Sequence, residues 1–114
     1  MPGRFGYNMA RMRYEIIMSP ESIEDLGTLR ADLRAAVRDA MEAHLRYEPT
    51  KTSKSRIKRL RGLSRPEYRL RVGEVRVFYN VAGESVEVLA IVFKSQAENW
   101  LSRMGEPDEG SSTV

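Results

Sequence analysis

Residues 68–93 read as three strands in close succession, and no other stretch of the chain restricts its fold so strongly. Tyr68, Leu70 and Val72 alternate with Arg69 and Arg71. Val75, Val77, Tyr79 and Val81 alternate with Arg76, Phe78 and Asn80, and residues 86–93 are almost continuously apolar. Between the first two strands, Gly73-Glu74 is a two-residue turn with glycine first, as a type II′ hairpin favours. Ala82-Gly83-Glu84-Ser85 closes a second hairpin, so the segment is a three-stranded antiparallel meander.

The first turn also fixes which side chains share a face. It sets Val72 opposite Val75, Arg71 opposite Arg76, Leu70 opposite Val77 and Arg69 opposite Phe78. Leu70, Val72, Val75 and Val77 then lie on one side, and Arg69, Arg71 and Arg76 on the other. Like charges directly opposite one another on a sheet are unfavourable by up to about 1 kcal/mol. The arrangement makes sense where an anion sits among the arginines, since a guanidinium binds phosphate oxygens with two parallel hydrogen bonds. The alternative is an ordinary surface network in which Glu67, Glu74 or Glu87 neutralises them.

Upstream, residues 13–18 form a short β-rich run that stops at Ser19-Pro20-Glu21, a helix start with a capping hydroxyl and a proline suited to the first turn. Leu26, Leu29, Leu33, Val37, Ala40, Met41 and Leu45 then recur at three- and four-residue steps as one apolar stripe. This is either one long helix or a two-helix hairpin divided near Gly27, and Pro49 ends it. Residues 51–65 are basic and polar, with Ile57, Leu60 and Leu63 as anchors. Residues 96–104 suit a short last helix carrying Trp100 and Leu101. The predicted class is α+β, with helices on one face of a mainly antiparallel sheet. Residues 1–11 read as a flexible leader, 12–104 as the folded domain and 105–114 as a disordered acidic tail; Met12 is a second candidate start.

Composition restricts the chemistry. The chain has 114 residues, no Cys and one His, His44. Disulfides, Cys-ligated zinc, iron–sulfur clusters and thiol nucleophiles are thereby excluded, and a Ser/His/Asp triad or a His-based metal site has nothing to complete it. His44 itself reads as a surface or helix-end residue. No Gly-rich phosphate loop and no carboxylate cluster for a metal is present, so no cofactor is expected. No apolar run approaches the length that spans a bilayer, and a cytoplasmic protein without a membrane partner is expected.

Charge is distributed very unevenly. Residues 51–76 hold ten bases (Lys51, Lys54, Arg56, Lys58, Arg59, Arg61, Arg65, Arg69, Arg71 and Arg76) against two acids, a local charge of +8. Because the whole chain carries +3, the remainder carries −5. An acidic body with one strongly basic segment is suited to meeting a polyanion, and nucleic acid is the expected partner. Lys94, just after the last strand, is either a solvated strand end or a fourth cation. Trp100 is either a packing residue or a platform for a base.

The run Ile57-Lys58-Arg59-Leu60-Arg61-Gly62-Leu63, followed by Tyr68-Arg69-Leu70-Arg71-Val72-Gly73-Glu74-Val75-Arg76-Val77-Phe78-Tyr79, resembles the signature of the RelE/ParE superfamily, the toxins of type II toxin–antitoxin modules. The opening Tyr14-Glu15-Ile16-Ile17-Met18-Ser19-Pro20-Glu21 and the order of elements are also similar, over residues 12–100. The resemblance implies a ribosome-dependent messenger-RNA endonuclease of RelE type, in which sheet-face cations hold the scissile phosphate while the ribose 2′-hydroxyl attacks it. Carried over by position, Arg69 and Arg71 stand where RelE has two functional lysines, and Arg76 on a functional arginine. Lys94 and Trp100 keep the spacing of a later arginine and a base-stacking tyrosine, with both residue types changed. The implied catalytic set is Arg69, Arg71, Arg76 and Lys94, and the implied RNA-binding set is Lys51, Lys54, Arg56, Lys58, Arg59, Arg61 and Trp100.

Arginine stays protonated above about pH 12 and cannot act as a base. The two Lys-to-Arg changes therefore leave the general base open, with Glu67 or the ribosomal environment of the 2′-hydroxyl as candidates. The resemblance further implies a cognate antitoxin, the ribosome and messenger RNA as partners, and promoter DNA only through the antitoxin. A ParE-like gyrase inhibitor without RNase activity is the alternative, and an inactive RNA-binding module a third reading.

Overall fold

A computed structural model describes residues 12–108. Its elements are β1 (Glu15–Met18), α1 (Pro20–Thr28), α2 (Ala31–Leu45), β2 (Ile57–Arg59), β3 (Leu63–Arg65), β4 (Tyr68–Val72), β5 (Val75–Ala82), β6 (Ser85–Phe93), α3 (Lys94–Met104) and β7 (Glu106–Pro107). The meander forms with the expected register: Arg69 faces Phe78, Leu70 faces Val77, Arg71 faces Arg76 and Val72 faces Val75. Gly73 takes φ +58 and Glu74 keeps a negative φ, the pattern of a type II′ turn.

The sheet is larger than three strands. Its order is β1-β6-β5-β4-β2, with β1 parallel to β6, and β3 and β7 make a separate two-stranded ribbon. β2 escapes a sequence reading because it is a three-residue edge strand. Only Ile57 is buried, opposite Leu70, while Lys58 and Arg59 are exposed, so no alternation shows. The ribbon extends the ordered chain past Met104 through Pro107, into the segment expected as a tail. The expected leader and residues 109–114 lie outside the described residues.

The helical stretch is a hairpin of two helices. The break falls at Leu29 and Arg30, both extended (ψ 150 and 155), rather than at Gly27. Leu29 is buried in the core, and Arg34 from α2 donates to Leu29 O at 2.8 Å, so the second helix satisfies the end of the first. Leu26, Leu29, Val37, Met41 and Leu45 pack on Leu70, Val75, Val77, Tyr79, Val86 and Val88 as the main core. The Tyr79 hydroxyl, buried there, donates to Pro49 O at 2.6 Å and ties the loop after α2 to the central strand.

Helices cover both faces, which corrects the one-face expectation. Trp100 of α3 stacks on Phe78 with centroids 5.1 Å apart and an interplanar angle of 8°, and Ala90 completes this second core. Burial from both sides explains why β6 is apolar almost throughout. Leu89 is a bulge residue, since Phe78 pairs with Ala90 but Tyr79 with Val88. Pairing with β1 ends at Val88, and α1 supplies the next partners. The Ser19 hydroxyl donates to Leu89 O (3.0 Å) while capping Ser22 N–H, and Asp25 Oδ2 accepts from Ile91 N–H at 2.9 Å. Among the described residues no helix is long and apolar enough to cross a membrane.

Two glycines make opposite demands. A Cβ at Gly105, which ends α3, would stand 2.6 Å from Leu101 O and 3.3 Å from Leu63 Cδ2, whereas one at Gly27 would meet nothing within 4 Å. Gly105→Ala is expected to destabilise by about 1–3 kcal/mol through overpacking, and Gly27→Ala to stabilise by about 0.5–1 kcal/mol through helix propensity. Urea denaturation of the two variants checks the opposed signs.

Candidate functional site

The hairpin brings Arg69, Arg71 and Arg76 onto the face covered in part by α3. Arg76 is only 7% exposed and is held by its own turn, with Nη1 donating to Gly73 O at 2.8 Å and to Val75 O at 3.2 Å. Arg69 is half-buried, and its Nε is buried without a hydrogen-bond partner. Burial first, and then the positive charges of Arg76 and Arg71, hold the Arg69 guanidinium below its ordinary pKa. Arg71 is exposed and carries no ion pair among the described residues.

None of the three acids that might neutralise this group does so. Glu67 is turned to the strand edge, where Oε1 accepts from Val81 N–H at 2.9 Å and Oε2 lies 4.0 Å from Arg59. Glu87 pairs with Arg65 at 3.8 Å, and Arg65 also reaches Glu106 at 3.8 Å. Glu74 lines a depression at the turn end of the sheet with Lys94 and Glu98. The cluster is a concentration of positive charge whose counterion the described residues do not supply, a condition that favours binding of an anion.

Lys58 joins it, since it stands directly opposite Arg69 across the β2–β4 ladder and is exposed. The other predicted residues do not. Arg59, one step along, lies on the opposite face, with its guanidinium 5.3 Å from the Tyr68 ring centroid and bonded to Glu67 O at 3.2 Å. Arg61 is exposed in the turn before β3, and Lys54 is exposed in the loop before β2. Lys51 and Arg56 line a separate depression with His44. Lys94 is the exposed first residue of α3, and its N–H donates to Glu74 O at 2.7 Å beside the turn rather than among the arginines. Trp100 is 8% exposed and stacked on Phe78, so the open face a base would need is occupied by packing. Among the described residues no group of three His, Cys, Asp or Glu side chains could hold a metal ion.

A second feature was not anticipated. Between β1, α1 and α2 runs a groove of about 810 Å³ whose floor includes Ile16, Met18, Leu26 and Met41 and whose wall carries Arg34, Arg38, Glu42 and Arg46. The signal was present as a four-residue step at positions 34, 38, 42 and 46, which places these charges in one row along α2. Arg46 is fixed there by Glu42 and by Tyr14 O at 2.9 Å. That ion pair holds the Glu42 carboxyl below its usual pKa.

No family model matches the sequence, and no curated protein does. Solved structures do match. A chain of the archaeal RelE–RelB complex from Pyrococcus horikoshii superposes with a TM-score of 0.61 and 23% identity, over 75% of this chain and 99% of that one. The toxin–antitoxin complex RelBE2 from Mycobacterium tuberculosis gives 0.57 and 23%, over 72% and 99%. The YoeB dimer from Staphylococcus aureus gives 0.55 and 17%, over 71% and 97%. The chain has a RelE-like fold, and it contains nearly the whole of each of those chains.

The buried arginines have opposite effects on stability. Arg69→Met removes an unsatisfied donor and a repulsion, and is expected to stabilise by about 1 kcal/mol. Arg76→Met removes the side-chain donor to Gly73 O and is expected to destabilise by about 1–2 kcal/mol. Thermal denaturation at low ionic strength checks both; equal melting temperatures for the two variants would contradict the difference in their surroundings.

Proposed function

We propose that the protein is the toxin of a type II toxin–antitoxin module and acts in the cytoplasm as a ribosome-dependent messenger-RNA endonuclease. The observation that carries this reading is the uncompensated group Arg69, Arg71 and Arg76 on one sheet face, with Lys58 beside it. The RelE-like fold supports it.

The resemblance implies the chemistry, and the residue types present limit which group can perform each part of it. The ribose 2′-oxygen attacks the adjacent phosphorus, and the bond to the 5′-oxygen breaks, leaving a 2′,3′-cyclic phosphate and a 5′-hydroxyl. Arg71 and Arg69 stabilise the negative charge that grows on the phosphoryl oxygens, in a site where burial strengthens each interaction. Arg76, held by the turn, keeps its charge in place without reorganisation. An arginine cannot take the 2′-hydroxyl proton, and the Glu67 carboxylate is engaged by Val81 N–H and Arg59. Lys58 is the one side chain of this group that is not an arginine, and an amine, unlike a guanidinium, can serve as a general base; it is the group we assign to accept that proton. The 5′-oxygen takes its proton from water. Alignment of the 2′-oxygen with the leaving group is left to the ribosome, which bends the messenger.

The groove between β1 and the helix hairpin suits the antitoxin. An apolar floor beside a row of arginines fits an amphipathic segment with acidic flanks that folds as it docks. Promoter DNA would be met only through that partner.

Arg71 is exposed and has no ion pair among the described residues, so Arg71→Ala is expected to keep the fold intact, no less stable for losing the repulsion with Arg76, while lowering cleavage about 10²–10³-fold. The readout is primer extension on total RNA after induction. Growth arrest with intact messenger and induced DNA-damage signalling would replace this reading with gyrase inhibition, and harmless expression would leave an inactive RNA-binding module. Lys58→Arg keeps the charge but loses the base. The variant is expected to cleave messenger on ribosomes about 10²-fold more slowly than the wild type; an unchanged rate would remove Lys58 from the proton transfer.

A further inference from the structure

Six of the ten bases of residues 51–76 lie away from the arginine face. Lys51 and Arg56 line a depression of about 240 Å³ between the end of α2 and the loop that follows it, together with His44, Thr52 and Ser53. Its lining includes donors that an anion could use. The Arg56 side chain has no ion pair among the described residues, and Ser53 Oγ accepts from Arg56 N–H (2.9 Å) and Ile57 N–H (3.4 Å), which leaves its own O–H as a donor. The one carboxylate at the rim, Glu48, is 3.6 Å from Lys51. His44 is half-buried, and burial first and Arg56 second hold its imidazole below the ordinary pKa, so it offers a neutral N–H donor.

This depression is joined to the arginine face through the backbone. Arg71 N–H donates to Arg56 O at 2.8 Å, so the residue that lines it is the cross-strand neighbour of a member of the cluster. β2 is the edge of the sheet, and adjacent strands are about 4.8 Å apart. A flexible single strand held at the arginines can therefore turn over this edge within one or two nucleotides. We propose that the His44–Ser53–Arg56 depression is a second phosphate subsite, which takes a backbone phosphate of the same RNA strand that meets Arg69 and Arg71. The proposal rests on the arginine face binding RNA, and it gives a role to Lys51 and Arg56, which that face leaves unused.

His44 is the only histidine in the chain, so its imidazole NMR signals report on this depression alone. The experiment titrates the full-length Arg71→Ala protein, whose cleavage is impaired, with inorganic phosphate and separately with a short single-stranded RNA. Expected are saturable shifts of the His44 signals with both, and a raised titration midpoint, because a bound anion favours the imidazolium. Arg56→Gln, introduced into the same protein, should abolish the phosphate response. It should also lower the slope of log affinity for RNA against log salt by about 0.7, the contribution of one phosphate contact to single-strand binding. Shifts with phosphate but none with RNA would mean an adventitious ion only and would overturn the proposal. An unchanged His44 signal with both ligands, while Arg56→Gln alone cleaves messenger on ribosomes as the wild type does, would overturn the subsite and leave the reading of the arginine face standing. Failure of that reading itself would show separately, as undiminished cleavage by Arg71→Ala.

Discussion

The register of β4 against β5 is the constraint on which the rest of the molecule depends. Gly73 supplies a positive φ at the first turn position, and this commits ten residues to one pairing. A slip by one residue would turn Leu70, Val75 and Val77 away from α1 and α2 and drive Arg71 and Arg76 into the main core. Burial of the apolar set, at about 25 cal/mol per Å², far outweighs the repulsion between Arg71 and Arg76, which is about 1 kcal/mol or less. The hydrophobic side of the hairpin therefore holds the charged side in an arrangement it would not adopt alone.

The opposite face shows how that arrangement is kept. Phe78, the cross-strand partner of Arg69, is buried beneath Trp100, and α3 is fixed at its far end by Gly105 and the β3–β7 ribbon. The aromatic stack lowers the polarity beside Arg69 and removes water from Nε. Arg76 escapes the same penalty because the turn carbonyls are within its reach. The two arginines thus differ in kind, one satisfied by its own hairpin and the other with a buried Nε that has no hydrogen-bond partner among the described residues. The Leu89 bulge belongs to the same design. It lets β6 serve both cores, and Ser19 and Asp25 of the α1 segment bond the backbone groups that the bulge and the end of β1 leave open.

Much of this was legible in the sequence. The turn at Gly73-Glu74, the strand alternation and the helix start at Ser19-Pro20 carry strong local signals, and the arginine face follows from them without any knowledge of the tertiary structure. What was not legible depends on contacts between distant residues. β2 has one buried side chain and is defined by its pairing with β4; β1 pairs in parallel with a strand some 70 residues away. The position of α3 depends on the stack of Trp100 on Phe78 and the small core around it, and on the bond from Lys94 N–H to Glu74 O. The same holds within the site. Strand register offered Glu67 as a neutraliser of the arginines, and the resemblance left it as a candidate base, but the bond from Val81 N–H turns its carboxylate to the edge.

Charge counting treats residues 51–76 as one object of +8, and the fold divides it into at least three. Arg69, Arg71, Arg76 and Lys58 share a partly buried sheet face, where each charge is felt strongly by the others. Arg59 and Arg65 are engaged by carboxylates and by the Tyr68 ring. Lys51 and Arg56 belong to a loop that closes against the end of α2. The edge strand separates these environments by one peptide's width, so residues adjacent in sequence, such as Lys58 and Arg59, point to opposite sides of the sheet. Two positive surfaces that meet at an edge favour a flexible single strand, which can bend over that edge, above a stiff duplex, which cannot.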